Sequence, residues 1–223
     1  DRILTDSPYQ GAVTADLHVM GTLAVPIVTG KLTAAEGAVN EVSFQNAAAD
    51  VAYADGELSV QNLTAEVFGG TVAGSGVFAA EKHAYTAHLT ADDIALAGLR
   101  SLSASLPEGL DGTLHADLGI DGQMGGSLTV LGSAQLSHGI YRNIPVERAN
   151  ASFMLCGGDL TIDFLSARLP NDTELGVEGH IAGGSRLDLR FYGAHADLSL
   201  LNGLDERLSF SGLADFSGEV QGD

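Results

Sequence analysis

Seven histidines, one cysteine and 29 Asp and Glu residues are the groups in this chain able to bind a metal, move a proton or attack a carbon. A metal site needs such ligands at close, regular spacing. The histidines stand at 18, 83, 88, 115, 138, 180 and 195, without that spacing. His18 and His115 alternate with apolar neighbours, the pattern of surface positions on a strand. Gly74-Ser75-Gly76 is too short for the five-residue elbow that presents a nucleophilic serine, and reads as a turn. Gly125-Gly126 lacks the lysine and helix of a phosphate loop. Carboxylates such as Asp92/Asp93, or Asp16 and Asp117, are so numerous that none stands out, and Asp111 before Gly112 reads as a turn acid. Cys156 is single, cannot form an internal disulfide, and sits in Met154-Leu-Cys-Gly-Gly like a buried strand end. Of the three sequons, at Asn62, Asn150 and Asn171, the first two fall in or beside strand patterns where a glycan fits poorly. No catalytic residue, metal site or cofactor is expected, and the chain is not read as an enzyme.

Composition narrows the partners. The formal charge of −19 would be repelled by nucleic acid and by an anionic membrane surface, and its plain reading is solubility. Apolar residues make up 45% of the chain, enough to bury a core or line a cavity. Aromatics are only 6%, Trp is absent and Ala is abundant, so many inward side chains are small. No stretch approaches the ~18 apolar residues of a membrane helix and no signal peptide is read in it, so any anchor or export signal is expected outside this piece.

The elements are strands, arranged in repeats. Glycines ten apart recur as Gly11…Gly21, Gly112…Gly122 and Gly212…Gly222, at offsets of 101 and 100. Gly30, Gly37, Val42 and Phe44 recur 102 residues later as Gly132, Gly139, Ile144 and Val146. This self-similarity predicts a lead-in at 1–10, one β unit over 11–111, a second over 112–211, and the start of a third at 212–223. The chain opens on Asp rather than Met and stops as the third unit opens, so it reads as a piece of a longer protein. Alternation is strict at Val13, Ala15, Leu17 and Val19, and again at Leu114, Ala116, Leu118 and Ile120. A period of two means strands with one apolar face. Turn signals at Ala-Asp-Gly (54–56), Gly69-Gly70 and Cys-Gly-Gly (156–158) predict an antiparallel meander of roughly eight strands per unit. Two segments break the rhythm. The run from Asp92 to Leu102, with an Asp pair to cap it and Pro107 beyond, and Ala196–Gly203 one repeat later, predict two short helical plugs. On periodicity alone, a closed β-sandwich with a dry core is the commoner way to cover so many apolar faces, and an open trough is the alternative.

The stretch from Tyr53 to Phe78, Tyr-Ala-Asp-Gly-Glu-Leu-Ser-Val-Gln-Asn-Leu-Thr-Ala-Glu-Val-Phe-Gly-Gly-Thr-Val-Ala-Gly-Ser-Gly-Val-Phe, preceded by Gly30-x-Leu32, Gly37 and Val42-Ser-Phe44, resembles the repeating signature of the TamB and AsmA-like superfamily. Its second copy, Met154 to Leu169, departs at Pro170-Asn-Asp-Thr, which replaces Gly-Gly-Thr. The resemblance implies an all-β, curled antiparallel meander: a β-taco groove with two short helical plugs, in place of the alternative closed β-sandwich. It further implies a periplasmic, cell-envelope protein whose parent is anchored in the inner membrane. Its implied partners are phospholipid acyl chains and an outer-membrane TamA-type barrel, as in the translocation and assembly module. The implied function is a hydrophobic-groove conduit for phospholipid transport between inner and outer membranes in outer membrane biogenesis. The alternative is a periplasmic scaffold that assists β-barrel assembly or protein translocation by strand augmentation.

Under that reading the groove lining is Leu17, Val19, Val42, Phe44, Val51, Leu58, Val60, Leu118, Ile120, Ile144, Val146, Phe153, Leu160, Ile162, Leu187 and Leu189. Burying a lipid tail is worth about 0.8 kcal/mol per methylene. A lining without polar clamps would let the tail slide between equivalent positions.

Overall fold

Residues that alternate apolar and polar can satisfy their backbone only by pairing with neighbours, and hairpin turns make those neighbours consecutive. The computed structural model describes residues 9–23, 25–40, 42–100, 108–183, 186–203 and 209–222. Its strands are β1 (Tyr9–Gly11), β2 (Thr14–Gly21), β3 (Pro26–Val39), β4 (Val42–Ala54), β5 (Glu57–Val67), β6 (Gly70–Ala79) and β7 (Ala84–Ala95). They continue with β8 (Leu110–Gln123), β9 (Leu128–Tyr141), β10 (Ile144–Cys156), β11 (Asp159–Arg168), β12 (Glu174–Ala182), β13 (Arg186–Asp197) and β14 (Leu213–Gly222). All fourteen belong to one antiparallel sheet in chain order, with β1 and β2 both lying along β3. The sheet is open and curled. With a single layer, the closed sandwich does not form. The stretch from 11 to 111 holds six strands from β2 on, and the stretch from 112 to 211 holds six more, counting β8, which begins just before it. That is fewer than the eight expected, because the strands run up to 14 residues.

Curvature comes from bulges. The apolar positions of β5 change parity between Val60 and Leu63, where Asn62 has φ 51° and the register with β6 shifts. The same happens at Asp93 in β7 (φ 57°) and at His195 in β13 (φ 50°), and β11 shifts register against β12 between Ile162 and Leu165. Asn, Asp and His are the non-glycine residues that best tolerate this left-handed conformation. Each extra residue bends its strand and increases its twist, so a line of them rolls the sheet. Left-handed residues recur at the repeat offset: Gly11, Gly112 and Gly212; Asn40 and Arg142; Asp93 and His195.

The plugs are shorter than expected. The chain stays extended through Asp92–Ala95 as the end of β7, and the helix α1 covers only Leu96–Leu99. Its N-cap is Ala95, without a side-chain cap, so the Asp pair does not start it. The rest of the expected helix, 101–102, and Pro107 lie outside the described residues. Leu198–Gly203 forms a 3-10 turn rather than an α-helix, its Ser199 amide donating to Asp197 Oδ1 at 2.9 Å. These two pieces close one end of the curl. Leu96 joins Leu136, Ile144, Val146 and Leu169 in the packed cluster, with Leu99 and Leu200 against it. The β11–β12 turn differs from its counterpart as Pro170 suggested. Phe68-Gly69 makes a two-residue turn, whereas 169–173 is longer and buries Thr173, whose Oγ1 accepts from the Asp197 amide at 2.9 Å.

Candidate functional site

Residues directly opposed across a ladder share a face, so following partners from strand to strand traces what the concave side presents. One row begins at Leu17 on β2 and passes through Gly30, Val51, Val60, Gly76 and Ala87 to Ile120. It continues through Val130, Leu155, Leu160 and Ile181 to Leu187, and ends at Gly222. A second row joins Leu63, Gly74, Leu89, Leu118 and Gly132 to Phe153, Ile162, Gly179, Leu189 and Val220. A third runs Ala65, Val72, Ala91, Ala116, Ala134, Ala151, Leu165, Val177, Phe191, Gly218. None of these positions is polar or charged. At about 4.8 Å between strands, the first row extends for roughly 55–60 Å.

Six of the sixteen positions proposed as lining, namely Leu17, Val51, Val60, Ile120, Leu160 and Leu187, fall on the first row. Leu118, Phe153, Ile162 and Leu189 fall on the second. Val19 and Leu58 belong to a row nearer the open rim, with Val28 and Tyr53 between them, and both are exposed. Val42 and Phe44 lie at the start of β4 opposite Val39 and Gly37, where a cavity of about 790 Å³ opens against Val67 and Phe68. Ile144 and Val146 are separate from the open rows. At 8% and 7% exposed they sit in the packed cluster beneath the plugs. Val130, Ile181 and Val220 lie on the rows although alternation did not single them out; their signal is membership of the same two-residue period.

The convex side carries the polar partners of the same strands. His88 Nε2 lies 2.9 Å from Asp117 Oδ1, and His115 Nδ1 lies 3.3 Å from Asp92 Oδ1. Asn62 Nδ2 donates to Asp50 Oδ2 at 2.8 Å, Ser152 Oγ to Asp163 Oδ2 at 3.0 Å, and Arg190 Nε to Glu219 Oε1 at 3.2 Å. Ser75 is in mid-strand on β6 opposite His88, not in a turn, and the imidazole turns to Asp117 instead. Asp111 likewise lies within β8, accepting from the Gly112 amide at 2.8 Å. Cys156, expected to be buried, is exposed, because the glycine turn after it takes the end of β10 out to the rim. Among the described residues no group of three His, Cys, Asp or Glu is placed to hold a metal, and no helix is long and apolar enough to cross a membrane.

Among the described residues one layer, one apolar face and no covering sheet leave a trough lined by hydrocarbon. Such a surface can hold a hydrocarbon ligand along its length and offers it no fixed polar anchor. Neither a curated protein nor a solved structure matches the chain. The TamB C-terminal domain family matches residues 2–164. More than half of the chain lies within that match, and with the repeat signature and the curled open sheet it makes this chain a member of the TamB family.

Proposed function

We propose that this chain is a segment of a periplasmic conduit whose trough carries phospholipid acyl chains between the inner and outer membranes. The observation that carries the reading is the first row, apolar on all thirteen strands it crosses and, among the described residues, covered by no second layer. Family membership supports a role in envelope transport. In this reading the parent is anchored in the inner membrane and meets a TamA-type barrel at the outer one. The chain catalyses no reaction. Acyl chains lie along the rows, each buried methylene contributing about 0.8 kcal/mol, and headgroups remain in water along the open rim. Equivalent positions one strand apart differ little in energy, so a tail moves without a deep trap, driven from elsewhere. The test is detergent-free purification followed by lipid mass spectrometry. Stoichiometric phospholipid is expected, and preparations repeatedly free of it would overturn the proposal.

A second reading has its own observation. Among the described residues β2 is exposed along its length and pairs on one side only, with β3, so its other edge is able to receive a partner strand. Photo-crosslinkers at Leu118 and at His18 separate the two. Lipid captured at Leu118 supports the conduit, and unfolded barrel polypeptide captured at His18 supports a scaffold.

A further inference from the structure

Five aromatic rings on the concave face stand directly opposite a glycine on the neighbouring strand: Phe44 and Gly37, Tyr85 and Gly122, Phe153 and Gly132, Phe191 and Gly218, Phe216 and Gly193. Each ring leans over its glycine. A Cβ placed on Gly37 would lie 2.5 Å from Phe44 Cζ, one on Gly218 2.5 Å from Phe191 Cζ, and one on Gly122 2.7 Å from the Tyr85 hydroxyl. On Gly132 it would lie 2.9 Å from both Phe153 Cε1 and Leu118 Cδ2. Opposed Cβ atoms are normally about 4.5–5.5 Å apart, so a ring standing upright on its own strand would keep its tip clear of that point. Phe191 and Phe216 exchange places across β13 and β14, their centroids 6.3 Å apart. None of the five glycines is left-handed, so backbone conformation does not account for them. A glycine inside a strand weakens it.

We propose that these glycines are clearance seats: each lets a ring lie flat against the wall, and together they hold the trough open to acyl chains. Gly132 lies on β9, close to mid-array, and its pairing with Phe153 on β10 sets the bore there. A methyl group at Gly132 pushes the ring up into the path of the ligand. The proposal rests on the conduit reading above.

The experiment incubates the full chain with net-neutral vesicles of palmitoyl-oleoyl phosphatidylethanolamine and phosphatidylcholine and counts bound lipid by native mass spectrometry. Gly132→Ala is expected to lower bound lipid about fivefold or more. Adding Phe153→Ala to it is expected to recover most of the lost lipid, up to the level of Phe153→Ala alone, which a merely structural role for Gly132 would not produce. Gly132→Ala binding as the wild type does, or a double variant as empty as the single one, overturns the seats and leaves the conduit standing. A wild-type chain that takes up no lipid sinks both. Should Gly132→Ala fail to fold, Gly218→Ala with and without Phe191→Ala repeats the comparison at the border of the sheet, read by the same criteria.

Discussion

Leu118 shows what a single side chain contributes to an open wall. It lies half-buried in the second row between Leu89 and Gly132, beside the leaning ring of Phe153. In a closed core an arginine here would be stranded, and the fold would fail. In a trough its flexible stem can lie along the wall while the guanidinium reaches water on the concave side. Leu118→Arg is therefore expected to retain the far-UV dichroism and cooperative melting of the wild type while losing most bound phospholipid. Loss of folded structure would mean that this stretch is packed rather than open.

The elements set which side chains reach that wall, and the bulges set their phase. Asn62 accepts a left-handed backbone and donates to Asp50 Oδ2 at 2.8 Å. A β-branched replacement meets the steric cost of that conformation, about 1–2 kcal/mol. It also loses a hydrogen bond worth about 1 kcal/mol. Asn62→Val should thus lower the stability of the chain by roughly 2 kcal/mol in urea titration, whereas Asn62→Gly gives up mainly the hydrogen bond; equal losses would show that the conformation is not the cause. Asp197, at the start of the 3-10 turn, gives a pH handle. Hydrogen bonds from the Ser199 hydroxyl and amide, then from Asn171, hold its carboxyl below the ordinary 3.8. A depressed folded value means the contribution is present above the unfolded value and lost as pH falls through the folded one. Melting curves of wild type and Asp197→Asn should differ near neutral pH and converge on acidification below 3.8; a gap independent of pH would refute the assignment.

Much of this was legible in the residues, for physical reasons. Alternation shows which positions share a face, and the jump from Val60 to Leu63 is visible as a change of parity. The run from Asp92 reads as a helix in sequence because Ile94 and Leu96 suit a strand and a helix equally, and pairing of β7 with β8 decides for the strand as far as Ala95. The open rows were within reach, but the division between them and the cluster around Ile144 was not, since it depends on where the plugs land. The seats were out of reach for a related reason. Gly132 and Phe153 become neighbours only once the β9–β10 register is known.

The assembled sheet contains two kinds of apolar environment, which respond differently to truncation. Around Leu136, Ile144, Val146 and Leu169 the side chains are packed on all sides by the plugs and by one another. Along the rows, Leu187 has wall neighbours such as Ile181 but no layer above it. Each strand packs chiefly on the two beside it, so stability behaves as a sum of local terms, as it does in repeat arrays. Removing the Leu136 side chain leaves a void that its surroundings fill only in part, and Leu136→Ala is expected to cost about 2–4 kcal/mol. Leu187→Ala leaves no enclosed void and should cost only about 1 kcal/mol, the transfer of half-exposed methylenes. The rank reverses for lipid: Leu187→Ala should weaken acyl-chain retention, while Leu136→Ala, sealed beneath the plugs, should leave the bound lipid of the folded fraction unchanged. Equal stability losses at the two positions, measured by urea titration of lipid-free protein, would mean that the rows are packed as tightly as the cluster, and an open trough would no longer describe this sheet.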